Sequence, residues 1–537
     1  MIRAEYDAII LGAGHNGLVL QAYLARSGLS TLSIDRAHQF GGGCYTVEDS
    51  AHPGFIHNTH SFFHRAISTM PWFSDLALEK HGVKYVHPDL NMSLILEDGR
   101  SFRWHLDVEE AASSLEKFSQ KDADRLREIS EEYSEVVEKI VGPMGCAPPM
   151  TSEKKEEILS RSTAGRRFLE AAAMSPREFC EKNFESDIFR AVLMYFTIIR
   201  EFDVNEPGHG YLIPSLIASR RKAEICLGGS FNLARGLSSV ISSNDGDILE
   251  QTEVSRIVIK NGKAAGVELK DHSVIKADIV ASSLNPQQTF LQLMDASDLP
   301  DGLADRVSRY RYQTVGPLFA VNVALREAPD YTAGQYASEL DESFLTMLGL
   351  QSPQEIYDLY NGRYPENLVL WGATPTRFDP SQAPPGHHTA FMWQKVPYAL
   401  DGDPLNWEKR KESMKQAVLE RWLEFAPNMT EDNILTAFAT TPLDTERRLP
   451  NMVGGDLMVG HMGMDQSFDS RPFPGAGAYK SPIENLYLCG SCTHPGGNIS
   501  GLPGYDAARV IIEDQAIKRW WDVIELEELW DGLRAGD

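Results

Sequence analysis

Three glycines near the N-terminus and an acidic residue beyond them form the clearest chemical pattern in the sequence. The glycines follow an apolar run at residues 6–11, precede a helical pattern at residues 18–27, and are Gly12, Gly14 and Gly17. Asp35 stands roughly 20 residues further on, at the end of a second predicted strand. Strand, glycine turn, helix and acidic residue in this order predict a dinucleotide-binding βαβ unit.

Each position of this pattern has a physical role. Gly12 permits the tight turn, Gly14 lets a pyrophosphate approach the backbone, and Gly17 lets the helix pack closely on the strand. The free N–H groups and the positive dipole end of the helix attract phosphates. Asp35 can accept hydrogen bonds from an adenosine ribose, and its charge disfavours a 2′-phosphate. The candidate cofactor-binding residues of this region are Gly12, Gly14, His15, Asn16, Gly17, Asp35 and Arg36.

A second glycine cluster, Gly41 to Gly43, follows the second predicted strand. A simple NAD domain does not need this cluster, whereas a bulkier cofactor that runs past the strand requires backbone close against it. The pattern therefore predicts FAD, with Gly42 and Gly43 as further candidate contacts.

A glycine-rich loop near the C-terminus has the same organisation. Residues 485–490 form a predicted strand, and a helix is predicted at residues 506–519 after the loop. The N-terminus of such a helix stabilises the negative charge of a reduced flavin ring.

The candidate catalytic residues are histidines and one arginine in segments expected to reach the flavin. His60 and His64 have the i, i+4 spacing of a metal-binding pair, but no third ligand or acidic partner is evident, so no metal is predicted. These histidines are instead expected to be structural, adjacent to the cofactor, or a general base. Arg471 is a candidate for orienting an acidic group. The catalytic candidates are His57, His60, His64, His494 and Arg471.

Composition limits the possible functions. The 537 residues are too many for one ordinary core and predict two or three domains. The net charge of −25 argues against nucleic-acid binding and against broad attachment to anionic lipid. No apolar stretch approaches the ~20 residues of a membrane span, and the first strand begins too early to leave room for a targeting peptide. Six irregularly spaced cysteines fit a reducing compartment, so we expect a cytoplasmic protein with at most peripheral membrane contact.

The predicted elements fall into two kinds of region. Residues 108–141 and 152–183 have charged helical patterns that suit a cap or substrate lobe. Residues 248–259 alternate as a strand before a hairpin turn at Asn261-Gly262. Further strands are predicted at residues 264–269, 277–283, 318–325, 367–373 and 388–394, and a further helix at residues 405–426. The hairpin and the strand after it are expected to complete the nucleotide domain, which makes the fold class α/β.

Together these motifs resemble the phytoene-desaturase-like flavoproteins (carotenoid and retinoid oxidoreductases) of the amine-oxidase superfamily. Within them the sequence is most similar to the pyridine nucleotide-disulphide oxidoreductase domain-containing protein 2 group. The motifs that carry the resemblance include GAGHNGLVLQAYLAR at 12–26, PGF at 53–55, GGSFNLARGL at 228–237, ADIVASSLNP at 277–286, PPGHH at 384–388, GGD at 454–456 and LCGSCTHPGGNISGLPGYDAA at 488–508.

The resemblance implies a discontinuous Rossmann-like FAD-binding domain with an inserted α+β substrate domain. The FAD-binding domain would comprise residues 1–70, 221–290 and 472–520. The substrate domain with its helical lobe would comprise residues 71–220 and 291–471, followed by an amphipathic tail at residues 521–537. Val254 would offer backbone to the adenine region. The candidates beside the ribityl chain and flavin are Gly490, Gly501, Leu502, Pro503 and Gly504. Asn498 stands where the family pattern would have a third glycine.

Three functions remain open. The first is an FAD-dependent dehydrogenase or desaturase of a hydrophobic or aromatic small molecule, with O2 or a quinone as electron acceptor. The second is a flavin-dependent isomerase, or an oxidase of C–N or C–C bonds, on the same scaffold. The third is a prenyl-binding escort-like protein without flavin, which the intact glycine motifs and Asp35 disfavour.

Two further features concern redox chemistry and assembly. Cys44 lacks a second cysteine nearby, since Asp49 occupies the position where one would fall, and Cys489 and Cys492 lie outside a thioredoxin-like context. We therefore predict no redox cysteine pair.

The acidic, amphipathic stretch from Trp520 to Trp530 predicts docking on the protein body or on a subunit partner, such as a homo-oligomer, rather than membrane insertion.

Overall fold

A computed structural model describes residues 2–220, 223–312, 315–331, 340, 342–360 and 367–533. The strands are β1 Glu5–Leu11, β2 Thr31–Ile34, β3 Thr46–Glu48, β4 Ile56–Asn58, β5 Phe63–Arg65, β6 Tyr85–Val86, β7 Leu90–Ile95, β8 Ser101–His105, β9 Ala223–Cys226, β10 Gly246–Leu249, β11 Val254–Lys260, β12 Lys263–Leu269, β13 Val274–Ser282, β14 Leu318–Leu325, β15 Leu345–Leu348, β16 Leu370–Ala373, β17 His388–Lys395, β18 Ile434–Thr440 and β19 Leu486–Leu488.

The helices carry the same chain-order numbering. They are α1 His15–Arg26, α2 Pro71–Asp75, α3 Val108–Leu115, α4 Gln120–Glu132, α5 Ser134–Val136, α6 Gly142–Met144, α7 Ser152–Leu159, α8 Thr163–Ala172, α9 Pro176–Asn183, α10 Asp187–Ile198, α11 Leu212–Ala218, α12 Phe231–Ser242, α13 Leu303–Ser308, α14 Gln354–Tyr360, α15 Asn406–Phe425, α16 Pro442–Arg448, α17 Leu502–Asp514 and α18 Leu526–Gly532.

The first sheet has the order β10-β2-β1-β13-β12-β11, and β19 also pairs with β13. Strands β10, β2, β1, β13 and β19 are parallel, while β11 and β12 form an antiparallel hairpin at one edge. The nearly continuous apolar run of β1 is explained by burial on both faces. Ala8 and Ile10 face one core with α1, α12 and α17, whereas Ile9 and Leu11 face another. This confirms the predicted α/β class with a Rossmann-like unit.

The second sheet has the order β18-β14-β17-β16-β15-β7-β8 and is mostly antiparallel. One face, with Phe319 and Val321, packs on Trp407 and Trp422 of α15. The other face, with Trp371 and Trp393, packs on the helices that lie between β8 and β9. We call this second face the aromatic face.

The strands of the two sheets fall in different parts of the predicted division. Those of the first sheet lie within residues 1–70, 221–290 and 472–520, and those of the second within residues 71–220 and 291–471. The domain boundaries themselves stay a prediction.

Two local predictions were wrong in detail. The alternating run at residues 248–259 is not one strand, because Gln251 between β10 and β11 has a left-handed φ of 51°. The two strands lie at opposite edges of the sheet. The hairpin turn at Asn261-Gly262 is confirmed, with φ of 53° and 78°. The last long helix begins at Leu502 and ends at Asp514, earlier than predicted, because Pro503 suits the first helical turn.

The C-terminal segment packs on the protein body. Trp520 stacks on Tyr23, and Trp530 donates a hydrogen bond from Nε1 to the backbone oxygen of Lys139 at 3.0 Å. Trp521 and Trp530 are buried. Within the described residues, none of the helices combines the length and apolar character needed to cross a membrane.

Candidate functional site

A cavity of about 230 Å³ lies at the carboxyl ends of β1 and β2. This is the edge at which open α/β sheets bind ligands. We call it the nucleotide cavity. Its lining includes ten of the predicted cofactor-binding residues, namely Gly12, Gly14, His15, Asn16, Gly17, Asp35, Arg36, Gly42, Gly43 and Val254. These residues are brought together in space, and their role in cofactor binding stays a prediction.

The glycine turn has the backbone geometry that the sequence pattern requires. Gly12 has a φ of 86°, which other residues rarely adopt. A Cβ on Gly17 would overlap with the backbone oxygen of Gly12, so only glycine permits this close packing of helix and strand. A Cβ on Gly14 would instead be 3.9 Å from the Cα of Gly42, so the two glycine clusters face each other across one wall of the cavity.

Asp35 ties the glycine turn to the end of β2. Its Oδ2 accepts a hydrogen bond from the Ala13 N–H at 2.8 Å, and its Oδ1 accepts one from the Ala37 N–H at 2.9 Å. Burial raises the pKa of Asp35, while the two backbone hydrogen bonds oppose that shift. The carboxylate therefore shapes the loop in addition to any contact with a ribose.

Three polar atoms in the cavity wall fit a bound polar ligand. Asn16 Oδ1, Gln288 Oε1 and Arg448 Nη2 are buried and have no hydrogen-bond partner in the described part of the chain. Buried polar atoms without partners are costly, and a ligand with complementary groups would satisfy them. Together with the two glycine clusters, these atoms make the cavity suitable for a dinucleotide.

The five candidates from the C-terminal loop do not line the nucleotide cavity. They act at packing positions, since a Cβ on Gly490 would overlap with Ser283, one on Gly501 would touch the ring of Trp72, and one on Gly504 would overlap with the backbone of Asn16. Leu502 and Pro503 are buried in the first turn of α17. The residue that reaches the cavity from this region is Ser491, whose Oγ accepts a hydrogen bond from Asn16 Nδ2 at 3.1 Å.

None of the five catalytic candidates lines the nucleotide cavity, and each makes its own contacts within the protein interior. His57 packs against the ring of Phe438. His64 Nδ1 hydrogen-bonds to the Tyr85 hydroxyl at 2.6 Å, and His494 Nε2 lies 2.8 Å from the backbone oxygen of Met144. Burial lowers the pKa of His57 and His494 to about 4 and that of His64 to about 3, so these imidazoles are neutral at physiological pH.

Arg471 is buried and connects two loops through hydrogen bonds. Its guanidinium donates hydrogen bonds to backbone oxygens of two loops, namely Met458 at 3.0 Å, His461 at 3.0 Å and Ser491 at 2.9 Å. With its hydrogen bonds directed at carbonyl groups, it holds the loop at residues 458–466 against the C-terminal loop. Among the described residues, no contact of Arg471 with an acidic group supports its predicted orienting role.

Among the catalytic candidates, His60 lines a second, smaller cavity. A small cavity of about 10 Å³, large enough for roughly one water, is lined by Thr59, His60, Leu318, Ala320, Trp393, Thr440, Thr445, Gly455 and Leu457. We call it the inner cavity, and it adjoins the aromatic face. His60 Nε2 and Trp393 Nε1 are buried without partners among the described residues. Burial, and secondly the charge of Arg448, lower the pKa of His60 to about 3.

Thr59 and Arg448 connect the two cavities. Arg448 lines the nucleotide cavity, and its Nη1 donates a hydrogen bond to Thr59 Oγ1, on the wall of the inner cavity, at 3.2 Å. The sequence reasoning missed Arg448 together with Asn451 and Met452, which also line the nucleotide cavity. The local signal was an arginine pair at the end of a helix, followed by Pro450, and it does not by itself indicate a site.

The cysteines and one cluster of acidic residues with a histidine are further groups that could take part in chemistry. Cys489 and Cys492 are free and buried, and burial raises the pKa of both thiols, that of Cys492 to about 12. Glu206, His461 and Asp465 are close enough to share a metal ion. However, Arg311 Nη2 already binds both carboxylate oxygens of Asp465 at 2.7 Å, which makes a cation unfavourable there.

Known proteins with similar sequences cover almost the whole chain. The family described as NAD(P)-binding Rossmann-like domain matches residues 10–77. One of the subunits of limonene dehydrogenase from Castellaniella defragrans is 29% identical, with 96% of each chain covered. Pyridine nucleotide-disulfide oxidoreductase domain-containing protein 2 of Mus musculus is 29% identical, covering 96% of this chain and 94% of that protein. A lycopene-forming phytoene desaturase of a Paracoccus species is 23% identical, covering 96% and 98%. The predicted resemblance to phytoene-desaturase-like oxidoreductases is confirmed.

Solved structures agree on the fold. An oxidoreductase from Methanosarcina mazei has a TM-score of 0.61 at 17% identity, covering 94% of this chain and 99% of that one. Putrescine oxidase has a TM-score of 0.62 at 12% identity, covering 96% and 99%. Sequence relatives are named as a dehydrogenase and a desaturase, so the prediction of an oxidoreductase enzyme is confirmed. The Rossmann-like match agrees with a nucleotide cofactor.

Proposed function

We propose that the chain is an FAD-dependent dehydrogenase or desaturase that removes a hydride from an uncharged hydrophobic or aromatic small molecule. The observation that carries the proposal is the distribution of charged side chains in the two cavities, which the Arg448–Thr59 hydrogen bond links. Among the described residues that line them, the carboxylates are Asp35 and Glu253, at the ribose end, and none lines the inner cavity. The proposal agrees with relatives whose names specify limonene and phytoene, which are hydrocarbons.

The residues of this chain would have separate roles in binding the cofactor and the substrate. The glycine turn and the N-terminus of α1 would hold the phosphates of FAD. When bound, FAD supplies two-electron chemistry in the form of hydride transfer. Trp393, which lines the inner cavity and packs against Trp371 at a ring-centroid distance of 4.6 Å, would contact an apolar substrate and help to exclude water. We propose O2 or a quinone as the electron acceptor.

The loss of a proton from the substrate must accompany the loss of the hydride. His60 is the titratable side chain on the wall of the inner cavity, and its Nε2 is without a partner among the described residues. Because burial holds it neutral, it can accept a proton at Nε2, although its low pKa of about 3 makes it a weak base. His60 would therefore deprotonate a C–H group that a neighbouring developing positive charge makes strongly acidic, rather than an ordinary C–H group.

Amine oxidation is less consistent with this site. An ammonium group brought to the inner cavity would lie near the Arg448 guanidinium, and no carboxylate among the described lining residues would balance it. The fold shared with putrescine oxidase does not outweigh this charge pattern, because fold alone does not specify a substrate.

The test is an absorption spectrum of the purified protein, followed by anaerobic mixing with substrates matched in shape but not in charge. We expect flavin bands near ~450 nm that bleach with toluene-like or polyene compounds and not with the corresponding amines. Bleaching by amines alone would contradict the proposal, and product without bleaching would favour an isomerase. A colourless protein that does not take up FAD would overturn the enzyme function and favour a prenyl-binding escort.

A further inference from the structure

Arg448 is a half-buried cation with no counter-ion among the described residues. It is the last residue of α16, and its guanidinium lies over the ring of Tyr45. Nη1 has a neutral partner, Thr59 Oγ1, whereas Nη2 is buried and unpartnered among the described residues. No carboxylate of the described residues forms an ion pair with it. The preceding residue, Arg447, points to the surface and pairs with Glu408 at 2.6 Å.

Such an arrangement is costly unless a ligand completes it. Removing a charged group from water costs several kcal/mol when no opposite charge replaces the hydration. The C-terminal end of a helix favours a cation and explains part of the placement of Arg448. The helix end does not explain Nη2, because that atom has no carbonyl acceptor among the described residues. Burial also lowers the pKa of Arg448, to about 10, which is the direction expected for an unbalanced cation.

We propose that Arg448 is an oxyanion-binding residue whose counter-charge is supplied by a bound ligand in the nucleotide cavity. The matching chemistry is an anionic oxygen or a strongly polarised carbonyl oxygen, which the free Nη2–H groups can bind. Two sources can present it, namely the cofactor, through a phosphate or a ring carbonyl, and the uncharged substrate, through a polarised carbonyl, for which the carboxylate of benzoate is a strong-binding probe. The inference rests on the proposed function for the identity of the cofactor, but not for the presence of an anion site.

The structure supplies a matched pair of variants. Arg448→Met removes the half-buried guanidinium, and Arg447→Met removes the adjacent exposed one, with 52% of its side chain accessible. In the apoprotein, we expect Arg448→Met to raise the melting temperature because it removes an unbalanced, half-buried charge, while Arg447→Met changes it little. Arg448→Lys keeps the charge but loses the planar fork, so we expect it to bind ligands more weakly without this rise.

Ligand binding separates the two sources. Apoprotein is titrated with FAD, followed by flavin fluorescence, and with inorganic pyrophosphate, followed by thermal shift. If the cofactor supplies the oxygen, Arg448→Met weakens FAD binding by about 10- to 100-fold relative to Arg447→Met, as for one charge-assisted hydrogen bond. If the substrate supplies it, FAD binding is unchanged, and benzoate perturbs the flavin spectrum of the unmodified holoenzyme but not that of Arg448→Met.

The proposal has a definite failure. It is overturned if Arg448→Met and Arg447→Met bind FAD, pyrophosphate and benzoate equally, or if Arg448→Met only lowers the melting temperature with ligand shifts unchanged. If Arg448→Met does not fold, equal ligand affinities for Arg448→Lys and the unmodified protein overturn it. If the native protein binds pyrophosphate or benzoate through Arg448 but never binds FAD, the anion site stands and the proposed function fails.

Discussion

Glu201 and Lys395 form an ion pair that is shielded from solvent, with side chains 1% and 0% exposed. Glu201 follows α10, and Lys395 ends β17 on the aromatic face, two residues beyond Trp393. Lys395 Nζ also donates a hydrogen bond to the backbone oxygen of Gly316 at 2.8 Å. Burial raises the pKa of Glu201 to about 7, and the charge of Lys395 opposes that shift. The pair thus joins the helical lobe to the second sheet beside the inner cavity.

We expect Glu201→Gln to destabilise the fold by about 3–5 kcal/mol, because it leaves a buried ammonium without its counter-ion. Urea unfolding monitored by tryptophan fluorescence measures the loss. Lys263→Met provides the control, since the Lys263–Glu484 pair is 50% and 59% exposed and should contribute no more than ~1 kcal/mol. A loss for Glu201→Gln as small as that of the control would show that the buried pair is not what stabilises this junction.

Replacing Asp35 by Ala should weaken FAD binding and also destabilise the glycine turn. The change removes the acceptor for the Ala13 and Ala37 N–H groups, which we expect to cost about 1–3 kcal/mol and to misplace the phosphate-binding backbone. Fluorescence titration with FAD and thermal unfolding of the apoprotein measure the two effects. Asp271→Ala is a matched control, because this exposed carboxylate accepts a similar hydrogen bond from the Ser273 N–H at 2.9 Å. Equal behaviour of the two variants would contradict the role of Asp35.

The buried histidines should make the fold sensitive to acid. A histidine whose pKa is lower in the folded than in the unfolded state takes up a proton on unfolding, so its contribution to stability is complete above the unfolded pKa of about 6.5. That contribution is lost as the pH falls toward the folded pKa. Burial lowers the pKa to about 4 or about 3 for His15, His57, His60, His64, His209 and His494.

His494→Gln tests this dependence, because glutamine can still donate a hydrogen bond to the backbone oxygen of Met144. Between pH 6.5 and 4.5, we expect the unfolding free energy of the variant to fall less steeply, by about 1 kcal/mol per pH unit. Glu201 and Asp506 have raised pKa values and act in the opposite direction, so the difference between variant and unmodified protein is the decisive quantity. Parallel pH profiles would contradict the neutral, buried state of His494.

The cysteines should be unreactive in the native protein. All six are free and buried, and burial raises the thiol pKa of Cys489 and Cys492. With a thiol-specific chromogenic reagent, we expect almost no labelling of the folded protein and six equivalents after denaturation. The double variant Cys489→Ser/Cys492→Ser should keep its bound flavin and its rate of flavin reduction. A large drop in that rate without loss of flavin would instead indicate a redox pair.

Local sequence patterns determined the nucleotide-binding unit. Gly12 and Gly17 act through a positive φ and a close helix–strand approach, and Asp35 bonds to Ala37 and, across one βαβ unit, to Ala13. These interactions lie within one strand–helix–strand unit, and the sequence therefore predicted both their place and their spacing. The hairpin at Asn261-Gly262 was predictable for the same reason.

Only the tertiary structure decided the other end of the site. Arg448 reaches the nucleotide cavity from a helix whose sequence neighbours belong to the second sheet, and Thr59 meets it from the N-terminal part of the chain. The same long-range packing placed Arg471 among backbone carbonyl groups, although its residue type had suggested an anion contact. Burial and the absence or presence of a partner are properties of the assembled core, and these properties determine which charged side chain remains free to bind a ligand.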